Sequence, residues 1–228
     1  MFRCRLLRTK AFAVLLSAIT AISLTTVPAF ADDDPVDQVT VEVSKGESKT
    51  ENVGDVDHTV NSEEDQAWAV QVDVDGGSAQ VTTGDVKSHS NVESMNAPGV
   101  GVWAYDNGSA NVETGDITAS NDGYGLSVYA GEDSTNNVKT GSITTDNTGA
   151  LVTSEYGGQM ETEINGDVNA GLNGVRAESF GENSKTDVTV NGNINAANRG
   201  VYAYSQDNSS SEAVINGDIT SKRIGAMA

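Results

Sequence analysis

Few side chains in this 228-residue sequence are spaced for chemistry. His58 and His89 are its only histidines, and each stands alone in a polar stretch. Without a second imidazole or a thiol at ligand spacing, both are expected to be exposed loop residues rather than metal ligands or bases. The one cysteine is Cys4, and no Gly-x-Ser-x-Gly nucleophile elbow occurs. Arg176, Arg199 and Arg223 recur about 25 residues apart, but no carboxylate cluster recurs beside them, so surface charge is their expected role. These residues point to no enzyme and call for no cofactor.

Binding is better provided for. Trp103, Tyr105, Tyr129, Tyr202 and Tyr204 alternate with Val102, Ala104, Leu126, Val128, Val201 and Ala203. Alternate side chains of a strand face opposite sides, so burial of the aliphatic set turns these rings outward. They form the candidate binding face, suited to sugar rings or to a protein partner, with Trp68 expected in the equivalent place of an earlier coil. Asp85, Asp116, Ser142, Asp167, Asn193 and Asp218 recur as a second set. Two carboxylates one strand spacing apart repel by about 0.9 kcal/mol even in water, and the neutral members read as charge dilution on a solvated edge. Oxygen-rich repeats can hold calcium, but the Gly-Gly-x-Gly-x-Asp nonapeptide and the EF-hand loop are both missing. No metal site is assigned.

The elements that must position these residues follow from a repeat. Gly followed by Asp, Asn or Ser and then Val or Ile starts at Gly54, Gly84, Gly115, Gly141, Gly166, Gly192 and Gly217. A second ladder starts at Gly101, Gly125, Gly149, Gly174, Gly200 and Gly225, with Ala67-Trp68-Ala69-Val70 as an earlier member without glycine. The first steps by 30 and 31 and then by 25 or 26 residues, and the second by 24 to 26, the scale of one solenoid turn. Within each period apolar residues alternate with polar ones, and Gly, Asn, Asp and Ser fill the gaps, as short strands and tight bends require. The expected fold is all-β: a single-stranded right-handed parallel β-helix of about seven coils. Left-handed β-helices favour six-residue steps, which 25 does not fit. An antiparallel β-sandwich is the structural rival, but its strands have no need of identical residues at a fixed period.

Other recurring pairs are Thr114 and Thr118, Thr140 and Thr144, Asn165 and Asn169, Asn191 and Asn195, and Asn216 and Thr220. Stacked Asn and Thr can hydrogen-bond between coils; a water-ordering threonine face would need threonine in every coil. Val81, Val112 and Val138 stand in Val-x-Thr-Gly units, whereas Ile164, Val190 and Ile215 stand in Ile/Val-Asn-Gly units, one place nearer the glycine. The bend is therefore expected to change type between the fourth and fifth coils.

Residues 1–31 read as a signal peptide: a basic start with Arg3, Arg5, Arg8 and Lys10, an apolar stretch, and Ala29-Phe30-Ala31 before Asp32. Residues 32–60 are expected to hold an N-terminal capping strand, around Val39, Val41 and Val43, and the first coil. Residues 61–228 carry the remaining repeats, with an open C-terminal coil that could associate end to end. The whole sequence has a formal charge of −20, and removal of four cations leaves −24 and no cysteine. Such acidity excludes a basic nucleic-acid footprint and disfavours anionic membranes, and no membrane insertion of the mature chain is expected. Secretion or display at the cell surface is the expected location.

The Asn-Gly-Asp-Ile, Asn-Gly-Asn-Ile and Thr-Gly-Asp-Ile units, with Gly-Val-Tyr-Ala strands, resemble bacterial secreted right-handed β-helix repeat proteins. They are similar to the pectin-lyase-like stalks of adhesins and autotransporter passengers, over about residues 50–228. The resemblance implies surface display and adhesion to glycans or proteins, and it carries over no functional residues. Polysaccharide lyases and hydrolases share the fold, so a carbohydrate-active enzyme is the alternative.

Overall fold

The structure, a computed structural model, describes residues 35–63, 65 and 67–228; the segment read as a signal peptide lies outside them. Regular structure among the described residues is entirely β-strand, arranged in three sheets. The first sheet has eight strands: Val39–Val43, Val70–Asp75, Val100–Tyr105, Leu126–Ala130, Ala150–Glu155, Val175–Phe180, Arg199–Gln206 and Ile224–Met227. The second runs from Ser48–Asn52 to Ser210–Ile215 and the third from Val56–Val60 to Ile219–Ser221, with seven strands each. Each turn of the chain contributes one strand to each sheet, and every strand pairs in parallel with its equivalent one coil away. The chain is a parallel β-solenoid of about seven coils. A sandwich of antiparallel hairpins would pair consecutive strands instead.

Equivalent residues stack directly. Ile117, Ile143, Val168 and Ile194 are consecutive partners in the third sheet, and Val102 and Val128 are partners in the first. The apolar interior is built mainly from Val, Ala and Ile, with Leu126 and Met160, and small polar side chains such as Ser154 and Thr186 are buried beside them. Small branched side chains suit both the strand backbone and a narrow bore closed on three sides.

The two glycine ladders prove to be halves of one contact. A Cβ on Gly99 would lie 2.5 Å from Ile117 Cγ2, and one on Gly125, Gly149 or Gly174 would overlap Ile143, Val168 or Ile194. From the third coil onward, the branched residue of the Gly-Asp-Ile unit thus occupies the space left by the glycine that enters the first sheet in the same coil. This also corrects the reading of the second ladder, which begins at Gly99 rather than Gly101, because Leu126 pairs with Val100. Gly101 instead lies on the outer face beneath the Trp103 ring. Its equivalent one coil earlier is Gln71, so Trp68 sits just ahead of its strand and is not the counterpart of Trp103. That counterpart is Asp73.

The Gly-Asp row has a structural duty. Asp55 Oδ1 accepts the Asp85 N–H at 2.9 Å, Asp85 the Asp116 N–H at 2.9 Å and Asp116 the Ser142 N–H at 2.7 Å. Asp167 and Asn193 repeat the arrangement at 2.6 and 2.9 Å. Each acceptor folds over the glycine of the next coil, where a Cβ would strike it. Backbone N–H groups that the bend leaves unpaired are thereby satisfied between coils.

The bend does change where expected, by insertion. Thr140 pairs with Ile164, so facing is preserved, and Asn165 is an extra residue before Gly166. Thr114 and Thr140 point inward and are buried, whereas Thr118 and Thr144 are exposed, so the paired threonines share no face. The inserted asparagines form their own ladder: Asn191 donates to Asn165 at 3.0 Å and Asn216 to Asn191 at 2.8 Å. On the third sheet Asn195 donates to Asn169 at 3.0 Å.

His58 departs from expectation. It lies on Val56–Val60, points inward between Val56 and Val60, and is 3 % exposed, with Nδ1 3.2 Å from Asp37 Oδ1. Its partners along the stack are Ser88 and then Ala119, so the large ring fills the bore where the next coils carry small residues. His89 is exposed as expected, but on a strand, with Nδ1 2.7 Å from Ser120 Oγ.

A candidate binding face on the first sheet

The outer face of the first sheet is made of three rows of side chains, set by the parallel register. One row runs Gln71, Gly101, Ser127, Leu151, Arg176, Tyr202; the next runs Asp73, Trp103, Tyr129, Thr153, Glu178, Tyr204; the third runs Asp75, Tyr105, Gly131, Glu155, Phe180, Gln206. Trp103 and Tyr129 are direct neighbours, and Tyr105 packs diagonally on Tyr129 with ring centroids 5.3 Å apart. Trp68 meets Trp103 edge-on at 4.9 Å. These four rings form one patch over the second to fourth coils.

Tyr202 and Tyr204 form another patch three coils away, with nearly parallel rings 6.1 Å apart. Phe180 joins them, 5.7 Å from Tyr204. Sequence reading missed Phe180 because its strand shows Arg176 and Glu178 where others show rings; the alternation of Val175, Ala177 and Ser179 was the available signal. The five predicted rings therefore face outward but divide into two groups, with Leu151 and Thr153 between them.

The two patches differ in charge. Arg176 and Arg199 flank the Tyr202 ring, with guanidinium carbons 5.8 and 5.4 Å from its centroid, within the range of cation–π attraction. Arg176 also pairs with Glu178 at 2.6 Å. Beside the first patch lies a groove whose charged lining is acidic, while the Lys45 stem lies against Gly76 at its edge and Lys49 donates to the Glu42 carbonyl. The groove, of about 530 Å³, is lined by Glu42, Asp73, Asp75, Tyr105, Asp106 and Glu132, together with Val43, Ser44 and Val74. Hydrogen bonding to Asp106 and the charges of Asp106 and Asp75 hold the Glu132 carboxyl above its usual range. Burial, followed by the charges of Asp73, Glu132 and Glu155, raises the Tyr105 hydroxyl. Burial and Glu155, whose Oε2 accepts the Tyr129 hydroxyl at 3.2 Å, raise Tyr129 further. The groove was not foreseen from sequence, although Asp106 and Glu132 stand one repeat apart in the same turn.

Among the described residues no group of three His, Cys, Asp or Glu side chains is arranged to hold a metal ion, and no helix is long and apolar enough to cross a membrane. No family model matches the chain, and no curated protein or solved structure matches it either.

Proposed function

We propose that this protein is a secreted or surface-displayed β-solenoid scaffold, an adhesin-like segment without catalysis, that engages glycans or proteins through the outer face of its first sheet. One observation carries the reading. Every Phe, Trp and Tyr side chain among the described residues lies on a strand of the first sheet or within two residues of one, and none lies on the other two sheets. Core packing does not account for this placement, because no Phe, Trp or Tyr is among the buried residues. A concentration of rings on one outer face suits recognition, since each ring offers a large, stiff contact area. The basic, apolar N-terminal segment supports export, and the repeat style supports kinship with bacterial secreted β-helix proteins.

A carbohydrate-active enzyme is the second reading, favoured by the Arg176–Glu178 pair beside Arg199. Glycan-array and protein-array binding by the mature chain separates the two. Binding without turnover, lost in Trp103→Ala or Tyr202→Ala, supports the scaffold. Cleavage of acidic polysaccharides that disappears in Arg176→Ala or Arg199→Ala overturns it, and so does binding that ignores both aromatic changes.

A further inference from the structure

The outer face of the first sheet pairs aromatic rings with opposite charges at its two ends, and this contrast selects a ligand. We propose that the end formed by the second to fourth coils docks a lysine- or arginine-rich segment of a partner polypeptide, seated along the Tyr105 groove and the adjoining rings. The inference rests on the reading of this face as the binding surface, and it names the partner class.

Three observations lead there. First, the groove is long enough for a peptide: its acids come from Glu42 in the first coil, Asp73 and Asp75 in the second, Asp106 in the third and Glu132 in the fourth. Coil stacking places successive members about 4.8 Å apart, and no lining residue is cationic. Second, the wall beside those carboxylates is aromatic. Tyr105 is 40 % exposed and packs on Tyr129, which neighbours Trp103. Lys and Arg side chains combine an apolar stem with a charged tip, so the stem can lie on a ring while the tip reaches a carboxylate. Their flexible stems also tolerate mismatch between the coil spacing and the residue spacing of an extended peptide. Third, the arginines around Tyr202 would repel such a segment, which confines it to the acidic end. The raised Glu132 carboxyl agrees, because it reflects a hydrogen bond with Asp106 and, after it, the nearby charges of Asp106 and Asp75. A compact metal ion is a poorer occupant, since no three of these groups converge on one point. The acidity of the whole chain adds long-range steering of a cationic partner.

Fluorescence anisotropy with a labelled oligolysine peptide and the mature chain tests this. Asp75→Asn with Glu132→Gln should weaken binding about tenfold, as loss of two partly exposed ion pairs implies. Glu161→Gln with Glu212→Gln makes the same charge change on the second sheet, where both residues are exposed, and should weaken binding less than about twofold. Tyr105→Ala should weaken binding while Tyr105→Phe retains it, and melting curves confirm that each variant is folded. Equal losses in the two acid pairs would show that binding follows net charge alone, and would overturn the proposal. Indifference to Tyr105→Ala, or preference for glucosamine oligomers over the peptide, would overturn it as well. Absence of peptide binding alongside Trp103-dependent glycan binding defeats this inference and leaves the proposed function standing.

Discussion

Replacing Gly141 by Ala tests the contact between coils that recurs most regularly along the solenoid. A Cβ there would collide with Asp116 Oδ1 and would also lie 3.1 Å from the Asp116 nitrogen and 3.2 Å from the Gly115 carbonyl carbon. The cheapest escape is rotation of the Asp116 side chain, which gives up its hydrogen bond from the Ser142 N–H at 2.7 Å. That bond has a charged acceptor but is exposed, so its loss costs about 1–1.5 kcal/mol. The two tight backbone contacts add about 1 kcal/mol of displacement. Restricting the unfolded chain returns about 0.5 kcal/mol. Gly141→Ala should therefore destabilise by about 2 kcal/mol. Asp116→Ala alone removes the same hydrogen bond, at a cost of about 1 kcal/mol. In the double variant the bond is lost only once, so its cost should fall short of the sum by about 1 kcal/mol. Urea denaturation followed by circular dichroism gives all four corners of this cycle, and coincident fluorescence transitions confirm cooperative unfolding. Strict additivity would refute the argument, because it would mean that the glycine is required for some reason other than the carboxylate lying over it.

Ile143→Ala should cost about 2–5 kcal/mol in the same assay, since Ile143 has no accessible surface and fills the space beside Gly125. Asn191→Ala breaks two rungs of an exposed amide ladder, and a loss near 1 kcal/mol is expected in thermal melts, with little change in structure. Ultraviolet titration should show Tyr129 ionising above the ordinary tyrosine range, and Glu155→Gln should move it back down. The folded chain holds that proton more tightly than the unfolded chain does. Stability should accordingly fall as pH rises past about 10, and less steeply in Glu155→Gln.

Much of the fold was legible in the sequence because stacking repeats a physical demand. Most coils place a glycine under an Asx or Ser side chain, and from Gly99 onward a branched residue beside a second glycine, so both marks recur with the coil. The third sheet was correctly anticipated through Ile117, Ile143, Val168 and Ile194. The second ladder was misplaced at its start because Gly99 and Gly101 are both glycines, and only strand pairing shows which one faces Ile117. His58 was read as a loop residue from its polar neighbours, although Val56 and Val60 at alternate positions already placed it on the inward side. The outward direction of Trp103, Tyr105, Tyr129, Tyr202 and Tyr204 followed from alternation, which is local and survives an error of register by two residues.

The candidate site was less accessible. Alternation says which side of a strand a ring occupies, but not which ring of another coil lies beside it. Lateral neighbours depend on register across about 25 residues of intervening chain, including bends of variable length. The sequence alone determined the period, the strand-forming alternation, the aliphatic bore and the acidity, because each is a property of one segment or of composition. Tertiary structure decided that the rings separate into two patches, that arginines flank one while carboxylates line a groove beside the other, and that a row of acidic residues serves as backbone acceptors. Those outcomes turn on distances between different coils, and only the closed path of the chain sets them.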